Sequence, residues 1–527
     1  MKKIVSILAI LAITTSVFTG CNKVTEEVVN SGNLEEKSTI TIFGNELQNY
    51  DGVDKDRVWD EIEKKTNTKI ELSGAPITGY IEKISVMINT GEAPDLFFFL
   101  PERSEAYSKW VQQEMIKPID NYIKDGSKYP NIYKILSNSQ YKNLTYENKY
   151  TIVPYIAPEN NWAVYIRSDW LDNLKLKTPE TIDEYLDVMK KFTFNDPDKN
   201  GKNDTYGLTS SKGIYWFMPF YAAFVKKPDW NYSIDKKTME FMYLTKEYKQ
   251  YLGVMAKAYA DGLIVKDFYS KIDDMKIEDF ATGKAGIMVH NASSHMQNIM
   301  QKLEQASPNA KIDVILPPKG PAGANMHGWG GWWGGYSISS NCKNVDAALR
   351  VLDYMVSEEG GKLRYYGIEN IHYTNTDKGS VISDKNLLER NKEPKGRFGL
   401  VKNGTEEKAL GNYVWGTNLG FQYKMLSGKI VAFEDFSNYK YKDLASKAQE
   451  MVKPVISSSD MMNITVNGAE FAQINKKIND QASIFTTNII VGRKTVEEGW
   501  QEFVDMAKSL KYDKAQKLAF DTMQNVK

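Results

Sequence analysis

Apolar and polar positions along this chain follow two rhythms, which change over at short intervals. Ser38 to Phe43 (STITIF) is strand-like. From Asp56 to Thr66 (DRVWDEIEKKT) Val58, Ile62 and Lys65 recur at helical spacing, and Lys69-Ile70-Glu71-Leu72 returns to strict alternation. Tyr80 to Thr90 puts Ile81, Ile84 and Ile88 on one helical face, Gly91-Glu92-Ala93-Pro94 breaks the helix, and Asp95-Leu96-Phe97-Phe98-Phe99-Leu100 ends in an unbroken apolar run. A short strand with no polar side is normally covered on both faces. Strand, helix, strand, helix, buried strand therefore predicts an α/β fold. The alternation continues with a strand over Ala163 to Arg167 and a helix over Thr181 to Phe192, whose Thr181 and Glu184 are spaced for a capping box. A strand over Ala285 to Val289, a helix over Ala347 to Ser357 and two helical patterns from Thr495 to Met523 follow.

The first residues keep neither rhythm. Lys2 and Lys3 precede a mostly apolar run from Ile4 to Phe18, too short to span a bilayer comfortably and of the length of a signal-peptide core. Phe18-Thr19-Gly20-Cys21 resembles a bacterial lipobox, cleaved before a cysteine that becomes diacylated, although Leu is usual where Phe18 stands. An ordinary secretory signal with a chance cysteine is the alternative. The expectation is a signal peptide over 1–20 and a lipidated polar tether over 21–37. Acyl chains on Cys21, each methylene contributing about 0.8 kcal/mol, would then hold the protein on the outer face of the cell membrane. Cys342 is the only other cysteine, so a lipidated mature chain has no internal disulfide and rests on its core.

Lys plus Arg and Asp plus Glu number 67 each, and loss of Lys2 and Lys3 leaves 65 against 67, a formal −2. Without a basic excess to neutralise phosphates, nucleic acid is not an expected partner. The aromatic content, 11 Trp, 31 Tyr and 21 Phe, exceeds what a core needs and directs attention to ligand surfaces.

STITIFGNE, GEAPDLFFF, WAVYIRSDWLDNLKLKTPETIDEYLDVMKKF and YSISSNCKNVDAALRVLDYMVSEEGGKLRYYGIENIHY resemble family 1 extracellular solute-binding proteins. These are the lipoprotein receptors of bacterial sugar ABC importers, and the likeness is to the alginate-oligosaccharide-binder-like branch of Gram-positive bacteria. The resemblance implies a two-lobe, periplasmic-binding-protein-like α/β fold (type II), with several hinge crossings and a ligand cleft between the lobes. Carried onto this chain, the first lobe is 38–165 plus 335–380 and the second 166–334 plus 381–527. It further implies a monomer that binds an oligosaccharide and docks on ABC permease subunits.

Residues 195–208 read NDPDKNGKNDTYGL. Asp196, Asp198, Asn200, the carbonyl of Lys202 and Asp204 fall at positions 1, 3, 5, 7 and 9 of an EF-hand-type calcium loop, with Gly201 at the sharp turn. Position 12 is Gly207, which has no carboxylate to give, so Thr205, another acid or water must complete the shell. A metal-free polar turn is the competing reading. The binder branch that the chain resembles has a similar loop, in which calcium is structural.

HGWGGWWGGYSIS, 327–339, sets tryptophans among glycines. Indole and phenol faces bury the C–H side of a sugar ring, and glycines let a ligand approach the backbone. Trp329, Trp332, Trp333 and Tyr336 are therefore candidate subsites, with Trp333 favoured over its neighbour Trp332 if the segment is extended, against the competing reading that these rings are packing. Trp162, Trp216 and Trp415 lie near strand ends and loops that should border the cleft. Glu46 and His290 follow strands at the carboxyl ends where such folds present ligands. Arg167 is a candidate for a sugar carboxylate, with an ion pair to Asp169 as its competing use.

A secreted glycoside hydrolase is the enzymatic alternative, and needs two carboxylates about 5–10 Å apart. No motif singles out such a pair, no Gly-x-Ser-x-Gly occurs, and His290, His295, His327 and His372 lack metal-ligand spacing. An enzyme is not expected. A sugar-sensing lipoprotein would keep the same cleft with a different partner.

Overall fold

β1 (Ser38–Asn45) and β2 (Thr68–Ala75) pair in parallel from Ser38 opposite Thr68 to Asn45 opposite Ala75. Between them, α1 (Arg57–Thr66) starts where the Asp56 carboxylate accepts from the amides of Val58 and Trp59, and ends at left-handed Asn67. Its buried stripe is Val58, Trp59, Ile62 and Thr66; Lys65, expected on that face, is exposed and pairs with Glu359. α2 (Tyr80–Asn89) leads to β3 (Leu96–Phe99), whose four residues are all buried. α3 (Glu105–Gln112), β4 (Ile116–Lys117), α4 (Pro130–Leu136) and β5 (Val153–Asn160) complete this stretch.

The computed structural model describes residues 37–526 apart from 46–55, 76–78, 100–104, 139–140, 142–143, 147, 161, 227, 230–231, 235–237, 292–295, 328, 377–378, 382, 391, 394–399, 403–404, 408–441, 458–465 and 467; side chains of 155–160 and 327–333 are likewise outside the description.

β6 (Trp162–Arg167) leaves the first sheet and opens a second. α5 (Ser168–Leu174), α6 (Ile182–Phe194), β7 (Tyr206–Thr209) and α7 (Met218–Ala222) follow, then a small antiparallel group of β8 (Pro228–Asp229), β9 (Tyr232–Ile234) and β10 (Met239–Phe241). α8 (Lys246–Ala260), α9 (Asp273–Ala281), β11 (Ala285–Asn291), α10 (Met296–Ala306) and β12 (Ile312–Ile315) complete the second sheet and its helices, in strand order β12-β6-β11-β7. α6 carries the expected capping box, with Thr181 and Glu184 bonded reciprocally.

β13 (Met326–His327) pairs with the strand Ile456–Ser457, and Met326 is buried in the core around the second sheet. The next strand, β14 (Trp329–Ser339), is back in the first sheet, where the order is β2-β1-β3-β14-β4 and β5 also pairs with β14. β3 is thus an interior strand flanked by β1 and β14, and its four side chains, pointing alternately to the two faces, are all buried in the first core, so LFFF needs no polar side. α11 (Val345–Met355), α12 (Glu358–Tyr366) and α13 (Asp384–Arg390) follow, and Arg57 of α1 pairs with both Glu389 and Glu393. The helices Ala469–Ile490, Val496–Ser509 and Tyr512–Val526 close the chain around the second core.

The chain passes from first sheet to second between Asn160 and Trp162, because Trp162 already pairs with Asn291 of β11. It returns between His327 and Trp329. Separate apolar cores surround the two sheets. Cys342 lies buried in the first, where burial pushes its thiol up to about 11. Among the described residues no helix is long and apolar enough to cross a membrane.

Candidate aromatic ligand site

β11 and β7 run parallel, so their carboxyl ends face the same way, toward the amino end of the antiparallel β6. Three sequence-predicted residues meet there. Trp162 opens β6, His290 lies one residue before the end of β11, and Trp216 sits on the single-turn helix Ile214–Phe217 that follows β7. The Trp162 and Trp216 rings meet edge to face with centroids 4.8 Å apart, and His290 is tilted against Trp216 at 4.9 Å. Both indoles are half-buried, whereas His290 is 2% exposed. A pair of half-open indoles backed by imidazole offers the apolar, flat surface that a sugar ring's C–H face requires.

Sequence reasoning missed Lys276. Its amino nitrogen lies 2.9 Å from the Trp216 centroid and donates to the Val289 carbonyl at 3.0 Å, and the residue is wholly buried. Burial holds this amine well below the ordinary lysine range, against the opposing pull of Asp273. The available signal was its place beside Ile277 and four positions before Phe280, both buried on α9.

Other candidates go elsewhere. Tyr336 is 1% exposed, packed edge to face on Phe98 in the first core, so it cannot meet a ligand. Tyr336 stands opposite Phe98 of β3 in a regular stretch of pairing, whereas the β14–β5 register shifts lie earlier, between Trp329 and Gly331 and between Trp332 and Gly335. Gly335 serves strand contact: a Cβ there would stand 2.3 Å from the Val153 carbonyl oxygen. Trp329 and Trp332 pair through their backbones with Asn160 and Ile156 of β5, and Trp333 lies in the same strand; the three side chains are outside the described set. Glu46, Trp415 and Cys21 also fall outside the described residues. Arg167 takes its competing use. It grips Asp169 through Nε and Nη2 at 2.8 and 2.7 Å, stacks on Trp170 at 5.0 Å, and is 5% exposed, so no sugar carboxylate reaches it.

The acidic loop curls as the spacing predicts. Asp196 accepts from the amides of Asn200 and Gly201 at 3.0 Å each, and the Asn200 amide group donates to Asp198 at 2.9 Å and Asp204 at 3.2 Å. Asp196 and Gly201 take positive φ. Burial first, then Asp196 and Asp204, push the Asp198 carboxyl above its usual range. Asp198 Oδ1 is buried without a hydrogen-bond partner. Thr205 is buried and donates to the Phe192 carbonyl at 2.7 Å. Gly207 explains the missing twelfth ligand, because a Cβ there would meet the Met189 backbone at 2.5 Å. No group of three or more His, Cys, Asp or Glu is gathered closely enough to hold a metal among the described residues.

The profile of the family described as Bacterial extracellular solute-binding protein matches residues 50–362. The Polygalacturonan/rhamnogalacturonan-binding protein YtcQ of Bacillus subtilis (strain 168) is 31% identical over 396 residues, 72% of this chain and 77% of YtcQ. The Lipoprotein LipO of the same organism is 29% identical over 393 residues, 71% of this chain and 75% of LipO. Among solved structures, the Streptococcus pneumoniae ABC-transporter substrate binding protein FusA in complex with kestose superposes with a TM-score of 0.68 at 18% identity, over 93% of this chain and 99% of FusA. A FusA EF-hand mutant in complex with fructo-nystose gives 0.63 at the same identity and coverage. At such identity these two likenesses show the fold alone.

Proposed function

The chain belongs to the bacterial extracellular solute-binding protein family, and from that premise we propose that it is the oligosaccharide receptor of an ABC importer, capturing its ligand on the Trp162–Trp216–His290 cluster. The observation that carries the reading is where the cluster sits. Trp162 stands two residues after Asn160, the end of β5, and Asn160 is paired with Trp329, where the chain has just returned. Aromatic faces beside both passages between the sheets are where a ligand touches both halves at once. The lobes in this reading follow the sheets, one built on β1–β5 with β14 and the other on β6, β7, β11 and β12. Closure on the ligand would give the permease a form to recognise. YtcQ and FusA are named as binders of polygalacturonan, rhamnogalacturonan and fructooligosaccharide, which supports a sugar ligand and binding without hydrolysis. LipO's name supports a lipid anchor at Cys21.

Calcium belongs to the same reading. The orphaned Asp198 Oδ1 and the crowding of Asp196, Asp198 and Asp204 fit a loop whose charges a divalent cation would balance. Asp196, Asp198, Asn200, Asp204 and the Lys202 carbonyl would hold it. When bound, the ion would supply rigidity to the turn between α6 and β7.

The test is a titration of the soluble form from Asn22 with neutral and acidic oligosaccharides, read by tryptophan fluorescence and repeated with Trp162→Ala and Trp216→Ala. A saturable change with intact sugar, weakened in both variants, is expected. Shortening of the sugar on thin-layer chromatography, or wild-type binding in both variants, would overturn the reading.

A further inference from the structure

The loop that carries Trp216 is stitched to α9 and the residues just before it. Thr209 Oγ1 donates to the Asp279 carboxylate at 2.9 Å, and Ser211 Oγ donates to that of Asp273 at 2.6 Å. The Lys212 amide donates to the Lys271 carbonyl at 3.0 Å, and Lys271 itself pairs with Asp279 at 2.8 Å. Residues 209, 211 and 212 are thus tied to 271, 273 and 279 through backbone or short polar groups. None of these bonds touches the indole, which lies beyond left-handed Gly213. From α9, the amino group of Lys276 reaches the ring.

The Lys276 amino group sits against the indole and is bonded at the same time to the carbonyl of Val289, the residue before His290. One buried polar group therefore touches the loop ring and the end of β11, and the strand's next side chain is the imidazole that leans on the same ring. An amino group withdrawn from water is a costly choice for a packing residue, since an apolar chain of similar length fills the space without desolvation. What it provides that an apolar chain does not is an N–H group against the ring's π face together with a hydrogen bond to Val289. We propose that Lys276 is a positioning residue of the ligand site, fixing the plane of Trp216 against Trp162 and His290 so that the indole pair is formed before ligand arrives. This rests on the reading of the cluster as the ligand surface.

The edge-to-face indole pair gives an exciton couplet in circular dichroism, defined here as the component that Trp216→Phe removes from the ligand-free protein. Lys276→Met is expected to lose that component, to keep or raise the melting temperature, and to bind oligogalacturonides or kestose, whichever the wild type binds, at least about tenfold more weakly; tenfold corresponds to about 1.4 kcal/mol. Lys276→Gln, which keeps a donor for Val289 but takes the amino group off the ring face, is expected to do the same and serves if the Met variant does not fold. A folded variant of either kind that keeps the couplet and binds like wild type overturns the proposal. So does a loss that only tracks a lowered melting temperature, because Lys276 would then hold the fold and not the ring. If Trp216→Ala binds as wild type does, the ligand reading falls, while the couplet of the ligand-free protein still decides whether Lys276 sets the ring.

Discussion

Replacing Glu393 with Ala should loosen the packing of α1 on the segment after α13 by an amount that can be worked out from its neighbours. The side chain is 1% exposed and accepts from Arg57 Nε at 2.5 Å, the Arg57 amide at 3.2 Å and His372 Nε2 at 2.9 Å. The tautomer follows from the other ring nitrogen: the Ile368 amide donates to His372 Nδ1 at 2.9 Å, so the proton is on Nε2. Removing the carboxylate leaves a fully buried imidazole N–H without that acceptor, which costs about 1–3 kcal/mol. Arg57 is 36% exposed, so solvent limits its loss to about 1 kcal/mol or less. The sum is about 1–4 kcal/mol, or a melting temperature lower by roughly 2–16 °C for a unit of about 150–250 residues. Acid should act in the same direction. Burial depresses His372 despite the pull of Glu393, so the unfolded chain takes up that proton first and stability falls as pH drops through about 6.5. Burial pushes Glu393 up, but its bonds to His372 and Arg57 outweigh burial and hold it below its ordinary value. Its contribution is present above about pH 4.5 and is lost as pH falls through the folded-state value. Thermal scans from about pH 7.5 down to 4, on wild type and on Glu393→Ala and Glu393→Gln, give the measurement. An Ala variant melting within about 1 °C of wild type at neutral pH, or a Gln variant with undiminished acid sensitivity below pH 4.5, would refute the account.

Three further expectations concern other parts of the fold. Gly335→Ala drives a methyl into the Val153 carbonyl, so β5 and β14 should part at a cost of about 1–3 kcal/mol, read as faster amide exchange over 153–160; unchanged exchange would count against it. Asp353→Ala strips the acceptor from the Asn131 and Ile132 amides at the start of α4 and should lower urea stability by about 1–2 kcal/mol, with Asp353→Asn losing less. Calcium at a hundred times its dissociation constant should stabilise the protein by about 2.7 kcal/mol. That gain should vanish with chelator or in Asp198→Asn; a melting temperature indifferent to calcium would remove the metal from the proposal.

Much of the fold was legible because local chemistry and burial agree. Phe97, Phe98 and Phe99 announced an interior strand, and Thr181 with Glu184 announced a helix start; both rest on short-range pattern. Trp162, Trp216 and His290 were legible one by one as residues at strand ends, but their meeting depends on β6 running against β11, which no local pattern encodes. Lys276 was hidden because a lysine reads as solvent-facing, and only tertiary contact with Trp216 makes burial tolerable. Tyr336 was misplaced because an aromatic ring that suits a sugar face suits a core equally well, and its place opposite Phe98 in β3 is a tertiary fact. Arg167 shows the reverse: its partner stood two residues away, in plain view.

The pairing of Asn160 with Trp329 has a mechanical consequence. The passages at 160–162 and 327–329 are laced together at the point where each changes sheet, and the helix Ala469–Ile490 of the second core also touches α3. Bending at one passage carries the other with it, so a swing of the halves turns about that shared line and must slide or part the contact at α3. Trp162, two residues past Asn160, is where a small angle moves an atom least, so a ligand on the proposed cluster would stay steady while the far rims travel.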